Sequence, residues 1–500
     1  MSEQRGTDAG ELWLARVRDG RPANGPAGEV ESALRRGGAE LHERWLLGLR
    51  RNPALSAGAL RRLLPVELPS DAVDFWLTQR DLRPGTTEAV MARGNVRQRR
   101  QLLENPNADS AALAAMVHDP DPRVRRGYVA LSGDWGRQIP AETRLLLAAD
   151  PDARVRALTA RYLDLPVLTR ARLAADPDPQ VRQAAVGRAT WARLPPGVRD
   201  ALRDDADPGV RAAVEEASRI EQPLPCRVPQ YLAATRERRL RAASEAPLDR
   251  ELAELLAEDE DPAIRRALAA NPHAPTELAL RLSEDPDDGV RLTLSQREEL
   301  TEEQRAAIAY IVPNGHTWPP RWIRERGHEP AVARRAAASA HVLLRRGIAM
   351  ARQLPPDVVR LLADDEDFFV RLTLCESCPD APHELVIEMY AHWHGLRWGM
   401  LLGHPNFARP GLARFADHAN DRLRHAALYD PDGGPELVLR LADDPYVAPW
   451  AVSDPRLPGA ELVRRLGDPR HARAAAANPA LPTGATHRLL DLAGIPADPG

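Results

Sequence analysis

Four groupings in this 500-residue chain have residue types and spacings that can do chemistry. The first is Cys375-Glu-Ser-Cys378, followed by His383, His392, His394 and His404. Zinc takes four ligands, commonly two C-x-x-C pairs or one such pair with two histidines. Cys375, Cys378, His392 and His394 form the candidate set, although a His-x-His second pair is an uncommon spacing. The competing expectation is that both cysteines are small buried apolar residues. Cys378-Pro379 also stands where other segments carry Asn-Pro. A redox role lacks the strand–helix setting of thioredoxin-like pairs. No cofactor is expected.

The second grouping is Tyr390–Trp398 (YAHWHGLRW) with His404 and Phe407, the densest run of aromatic and histidine residues. His392, Trp393, His394, Arg397 and Trp398 can line a groove for a peptide or stack a base. Equally, the rings can pack between neighbouring helices. The third grouping lies in residues 311–330 (IVPNGHTWPPRWIRERGHEP), which gather Trp318, Arg321, Trp322, Arg324 and Arg326. Trp and Arg are favoured binding anchors at interfaces; alternatively, the two Trp plug a junction between units. The fourth is a row of arginines: Arg125, Arg156, Arg182, Arg211, Arg265, Arg291 and Arg371. Such a row can bind anions. A structural use is the stronger expectation, because each Arg follows a fixed Asp and is placed to bond the Asp or loop carbonyls of a neighbour, bidentately. There is no G-x-S-x-G, no H-E-x-x-H and no phosphate-cradling glycine loop. Catalytic residues are therefore not expected.

The elements that must position these residues follow from periodicity. Seven segments align on a Val-Arg or Ile-Arg pair: DPDPRVR (119–125), DPDARVR (150–156), DPDPQVR (176–182), DADPGVR (205–211), DEDPAIR (259–265), DPDDGVR (285–291) and DEDFFVR (365–371). Their apolar members are spaced by 31, 26, 29, 54, 26 and 80 residues, the large gaps being multiples of the small ones. Degenerate copies lie at Leu240-Arg241, Leu423-Arg424, near Val447 and at Ala472-Arg473, and Arg99-Arg100 extends the pattern upstream, as far as Trp45. Each unit reads as two short helices. Asp-Pro-Asp ends the first, since Pro cannot continue it, and Asp caps the second. Val-Arg-x-x-Leu/Val-Ala sets two apolar residues on one face. Asn-Pro turns close units at Asn52, Asn105, Asn271 and Asn478, because the residue before Pro is pushed out of the helical region.

A hairpin this short cannot bury its apolar face alone, whereas stacked neighbours can. The expected fold is all-α: a right-handed α-solenoid of stacked short helical hairpins with a repeat of about 26 residues. Residues 1–40 read as a flexible tail with an amphipathic helix near Glu11–Arg18. Helical repeats are expected over 41–220, over 221–310 after a Pro-rich break (EQPLPCRVPQYL, 221–232), and over 331–492; 311–330 is an irregular insertion and 493–500 a tail.

Composition agrees with this. Apolar residues make up 43% but aromatics only 4%, so Leu, Val and Ala must fill the core. The 46 prolines suit many short helices. A formal net charge of −4 is not that of a dedicated nucleic-acid binder, although one basic face remains open. Three cysteines, no signal-peptide pattern and no long apolar run point to a cytoplasmic protein with no membrane segment.

The pattern Leu-x-x-Leu-x-x-Asp-Pro-Asp-x-x-Val-Arg-x-x-Leu-Ala-x-Asn-Pro, clearest at 251–275 and 278–291, resembles the leucine-rich repeat variant and overlaps with HEAT-like repeats. The resemblance covers about 40 to 492 and implies an interaction scaffold. One relative of the variant family carries an iron–sulfur cluster on a separate Cys-rich domain, and those cysteines are missing here. The expected function is non-enzymatic: a scaffold binding a protein or peptide on its concave face. The alternative is a nucleic-acid protein, since some HEAT-like solenoids are DNA glycosylases that hold the duplex on a basic concave face. Arg pairs at 99–100, 125–126, 265–266, 334–335, 345–346 and 464–465 permit that reading.

Overall fold

The computed structural model describes residues 2–68, 75–78, 85–109, 113–132, 139–187, 190–221, 224–312, 318–395 and 397–497. The regular elements among the described residues are all helices, with no strand among them. No helix among them is long and apolar enough to cross a membrane. The chain divides into two compact units. One comprises residues 1–222 and 434–500, the other 223–433. The first boundary falls inside the Pro-rich stretch at 221–232, and the second lies in a stretch read as uninterrupted repeats.

In the first unit, helices Pro122–Ser132, Ala153–Tyr162, Pro179–Ala185 and Pro208–Glu221 pack each on the next. Val124, Val155, Val181 and Val210 are fully buried between them. The loops work as local chemistry demands. Asp152 accepts from the Val155 N–H at 3.0 Å and Asp178 from the Gln180 N–H at 2.8 Å, satisfying amides that the first helical turn leaves open. The second unit repeats this with Pro262–Ala270 and Asp288–Ser295, then Val342–Ala349 and Phe368–Ser377.

The repeat arginines tie these layers. Arg125 pairs with Asp150 at 2.7 Å, Arg156 with Asp176 at 2.8 Å, Arg182 with Asp205 at 2.7 Å and Arg265 with Asp285 at 2.6 Å. Each also donates to the carbonyl of its own loop, as Arg125 does to Asp119 at 2.7 Å. Arg99 and Arg345 do the same toward Asp119 and Asp365, so Ser339-Ala-His-Val-Leu-Leu-Arg345 keeps the arginine's role without an Asp-Pro-Asp. Arg211 and Arg371 bond the carbonyls of Asp205 and Asp365, and Arg291 those of Asp285 and Ala309. Arg371 also reaches Glu388 at 3.4 Å.

Residues 1–40, expected as a flexible tail with an amphipathic helix near Glu11–Arg18, form two helices: Ser2–Arg18, which contains that stretch, and Pro26–Arg36. Trp13 and Leu34 are buried, and the Ala460 N–H donates to Glu11 at 2.9 Å. Helix Ser2–Arg18 packs on Gly459–Leu466 and Thr483–Leu492, at the far end of the chain, so its docking is not announced locally. Helix Gly38–Arg51 packs on Ala472–Ala477, with the Trp45 indole donating to the Leu466 carbonyl at 2.9 Å. Asn478 donates to the carbonyls of Val452 and Asp454 at 2.9 and 2.7 Å, and Asn52 does the same to Ala476 and Asn478 at 3.1 and 2.8 Å. The first Asn-Pro turn therefore stacks on the last as if it were the next in sequence.

Candidate functional site

The irregular stretch that begins at 311 ends in a short helix, Arg321–Arg326, started by Pro319-Pro320. Residues 313–317 lie outside the described residues. Trp322 is half-buried, and its indole N–H donates to the Gln296 carbonyl at 3.0 Å. The Arg335 guanidinium carbon sits 5.1 Å from the centre of the Trp322 ring, a cation–π distance. Glu298 accepts from Arg326 at 3.1 Å and from Arg335 at 2.5 Å, and Arg321 pairs with Glu325 at 2.6 Å. Together with Pro272 and His273, these residues border a groove of about 820 Å³. Beneath it, buried Arg297 donates to the carbonyls of Asn271 and Ala274 at 2.8 and 2.9 Å and holds the floor in place. Trp318 is 81% exposed. It edges a second depression of about 670 Å³ with Arg324, Met350 and Pro379.

The structure thus brings Arg321 and Trp322 together. It adds Gln296, Glu298 and Arg335, which sequence reading did not single out for a site. Arg335 was visible only as half of an Arg pair, and nothing local marks Gln296 or Glu298.

The run 390–407 is used differently. Tyr390 and Phe407 are fully buried, with ring centres 5.0 Å apart edge to face. The Tyr390 hydroxyl and His425 Nδ1 lie 2.5 Å apart. Trp393 packs 6.2 Å from both Phe368 and Phe369, and Trp398 lies under Arg422 at 4.7 Å. Arg422 also donates to the carbonyls of Tyr390 and Trp393. Both Trp are half-buried. His392 and His394 are exposed, and His392 Nδ1 bonds the Glu388 carbonyl at 2.8 Å. Arg397 is exposed and adopts a φ of 69°, the left-handed region.

Cys375 and Cys378 are buried in the core of the second unit, whereas His392 and His394 face solvent. Burial pushes the Cys375 thiol up to about 12 and raises Cys378 as well, so both rest as neutral thiols at pH 7. No group of three or more His, Cys, Asp or Glu placed to hold a metal ion occurs among the described residues. Cys378 occupies the Asn-Pro place: the Ala381 N–H donates to its carbonyl at 3.1 Å, as the Ala274 N–H does to Asn271 at 3.2 Å. His404 fills the equivalent position in the following unit. Its Nε2 donates to the Cys378 carbonyl at 3.0 Å, and its Nδ1 accepts from the Asn406 N–H at 3.0 Å.

No protein-family model matches the chain, and no curated protein matches it.

Proposed function

We propose that the protein is a non-enzymatic helical-repeat scaffold that binds a protein or peptide segment in the groove beside Trp322. The carrying observation is the groove itself. It lies where the repeat is interrupted, and it combines an anchored Trp face with fixed Arg and Glu side chains. Preset polar groups around an aromatic wall orient a ligand at low entropic cost.

The scaffold is read as a right-handed α-solenoid with units of about 26 residues, akin to the leucine-rich repeat variant and HEAT-like groups. The recurring Arg–Asp pairs and Asn–carbonyl bonds support that reading. Three free thiols fit a reducing, cytoplasmic setting. The nucleic-acid alternative is the weaker one, since the regular arginines are committed to aspartates and loop carbonyls.

A displayed peptide library selected on the purified protein tests the proposal. Enriched peptides are expected to bind wild type and to lose at least tenfold in affinity for Trp322→Ala, a loss of about 1.4 kcal/mol. Peptides that bind both proteins equally would remove the groove from consideration. Binding to an oligonucleotide that weakens with rising salt would favour the alternative.

A further inference from the structure

Where a side chain caps the helix that carries the Val-Arg position, the residue is Asp at 152, 178, 261, 287 and 367, Asn at 95 and 420, and Thr at 235. In helix Val342–Ala349 it is His341. Its Nδ1 accepts from the Leu343 N–H at 3.2 Å, so that nitrogen carries no proton. Nε2 lies 2.8 Å from the Ser295 hydroxyl, which itself donates to the Leu292 carbonyl at 2.7 Å. Nε2 is therefore the donor, and the ring is neutral. The bond to Ser295 joins two helices across the irregular stretch. The ring is 1% exposed and stacks on Tyr310 at 4.3 Å with 6° between planes.

The charged groups around it leave no place for a second proton. Arg305, on helix Glu302–Ala306, donates to the carbonyls of Ser295 and Arg297. Arg345, on the helix that His341 caps, is held by Asp365 at 2.7 Å. Glu302 is the nearby carboxylate, and it already accepts from the Ser339 hydroxyl at 2.9 Å and the Ala340 N–H at 3.0 Å.

We propose that His341 is a proton-operated latch: its neutral ring joins the end of Asp288–Ser295 to the start of Val342–Ala349, and its protonation releases that joint. An added proton on Nδ1 turns the cap acceptor into a donor facing the Leu343 N–H. It also places a buried charge near two arginines. Burial first, and Arg305 second, hold the pKa of His341 down to about 4. The closed joint thus resists protonation and the open one takes it up. The Gln296 carbonyl that anchors Trp322 follows Ser295 directly, so opening loosens the groove wall. The latch concerns this joint alone and stands whether or not the groove holds a partner.

Hydrogen–deuterium exchange of the whole chain, corrected for intrinsic pH dependence, tests it at about pH 7.5 and about pH 5. In wild type, protection over 288–297 and 341–349 should fall about twenty-fold relative to the Asp-capped helix Ala153–Tyr162. His341→Asn keeps a cap acceptor that does not titrate, and it should change less than about twofold. His341→Asp restores the Asp cap of other units and should behave likewise, so either variant suffices if the other fails to fold. Equal losses in wild type and variants, or no loss in wild type, would overturn the proposal.

Discussion

The row of arginines is best understood one residue at a time. In Arg125, Arg156, Arg182 and Arg265 the guanidinium spends its fork on an Asp carboxylate some 20–25 residues ahead and another N–H on a carbonyl of its own loop. Arg156 shows the arrangement: Asp176 at 2.8 and 2.9 Å, and the Asp150 carbonyl at 2.8 Å. Removing one partner of such a sheltered pair leaves the other charge without compensation. Arg156→Ala should therefore lower stability by about 2–4 kcal/mol, read as a shift in the denaturation midpoint. Arg123 pairs with Asp121 in the open and should matter little when truncated. A midpoint unchanged by Arg156→Ala would mean that the pairs are incidental and would reopen the row as an anion site.

At the scale of elements, close approach decides which helices can stack. Helix Gly38–Arg51 comes so near Ala472–Ala477 that a Cβ on Gly48 would lie 2.2 Å from the Arg473 carbonyl oxygen. Backbone cannot give way as a flexible side chain can. Gly48→Ala should drive the two helices apart, although alanine is the better helix former in isolation. We expect a loss of about 2 kcal/mol or more and faster amide exchange over 472–477. A stabilised variant would show that the contact relaxes freely. The same scale explains the interruption at 311–330. Pro319-Pro320 start a helix that is not Asp-capped, and the space beside it stays open as the groove.

For the molecule as a whole, the decisive fact is that one unit is built from both ends of the chain. Glu31 pairs with Arg488, and Arg62 reaches Asp491 at 2.7 Å and the Pro496 carbonyl at 2.8 Å. A deletion of residues 1–36 removes the helix that carries buried Trp13 and packs on Gly459–Leu466 and Thr483–Leu492. It should cost several kcal/mol, since burying one large side chain is worth about 3 kcal/mol. It should also deprotect Gly459–Leu466 and Thr483–Leu492 in exchange experiments. Unchanged protection there would show that the amino-terminal helices are dispensable.

By itself the sequence determined the local grammar. Asp caps, Pro breaks, buried Val and Asn-Pro turns were legible because each acts within a few residues through backbone hydrogen bonding and side-chain period. It also marked where that grammar fails, at 311–330 and 375–407, and so where the open groove and the aromatic core lie. Tertiary structure alone decided the rest. Nothing near Trp13 or Asn52 in sequence shows that residues beyond 450 cover them, and a helix whose partner is distant has no periodic neighbour to betray it. The rings of 390–407 could equally line a groove or pack between helices, and the structure buries Tyr390 and Phe407 while Trp393 and Trp398 stay half-buried against Phe368, Phe369 and Arg422. Burial depends on what packs opposite, and composition does not carry that. Glu298 and Arg335 joined a site for the same reason: only folding sets them beside Trp322.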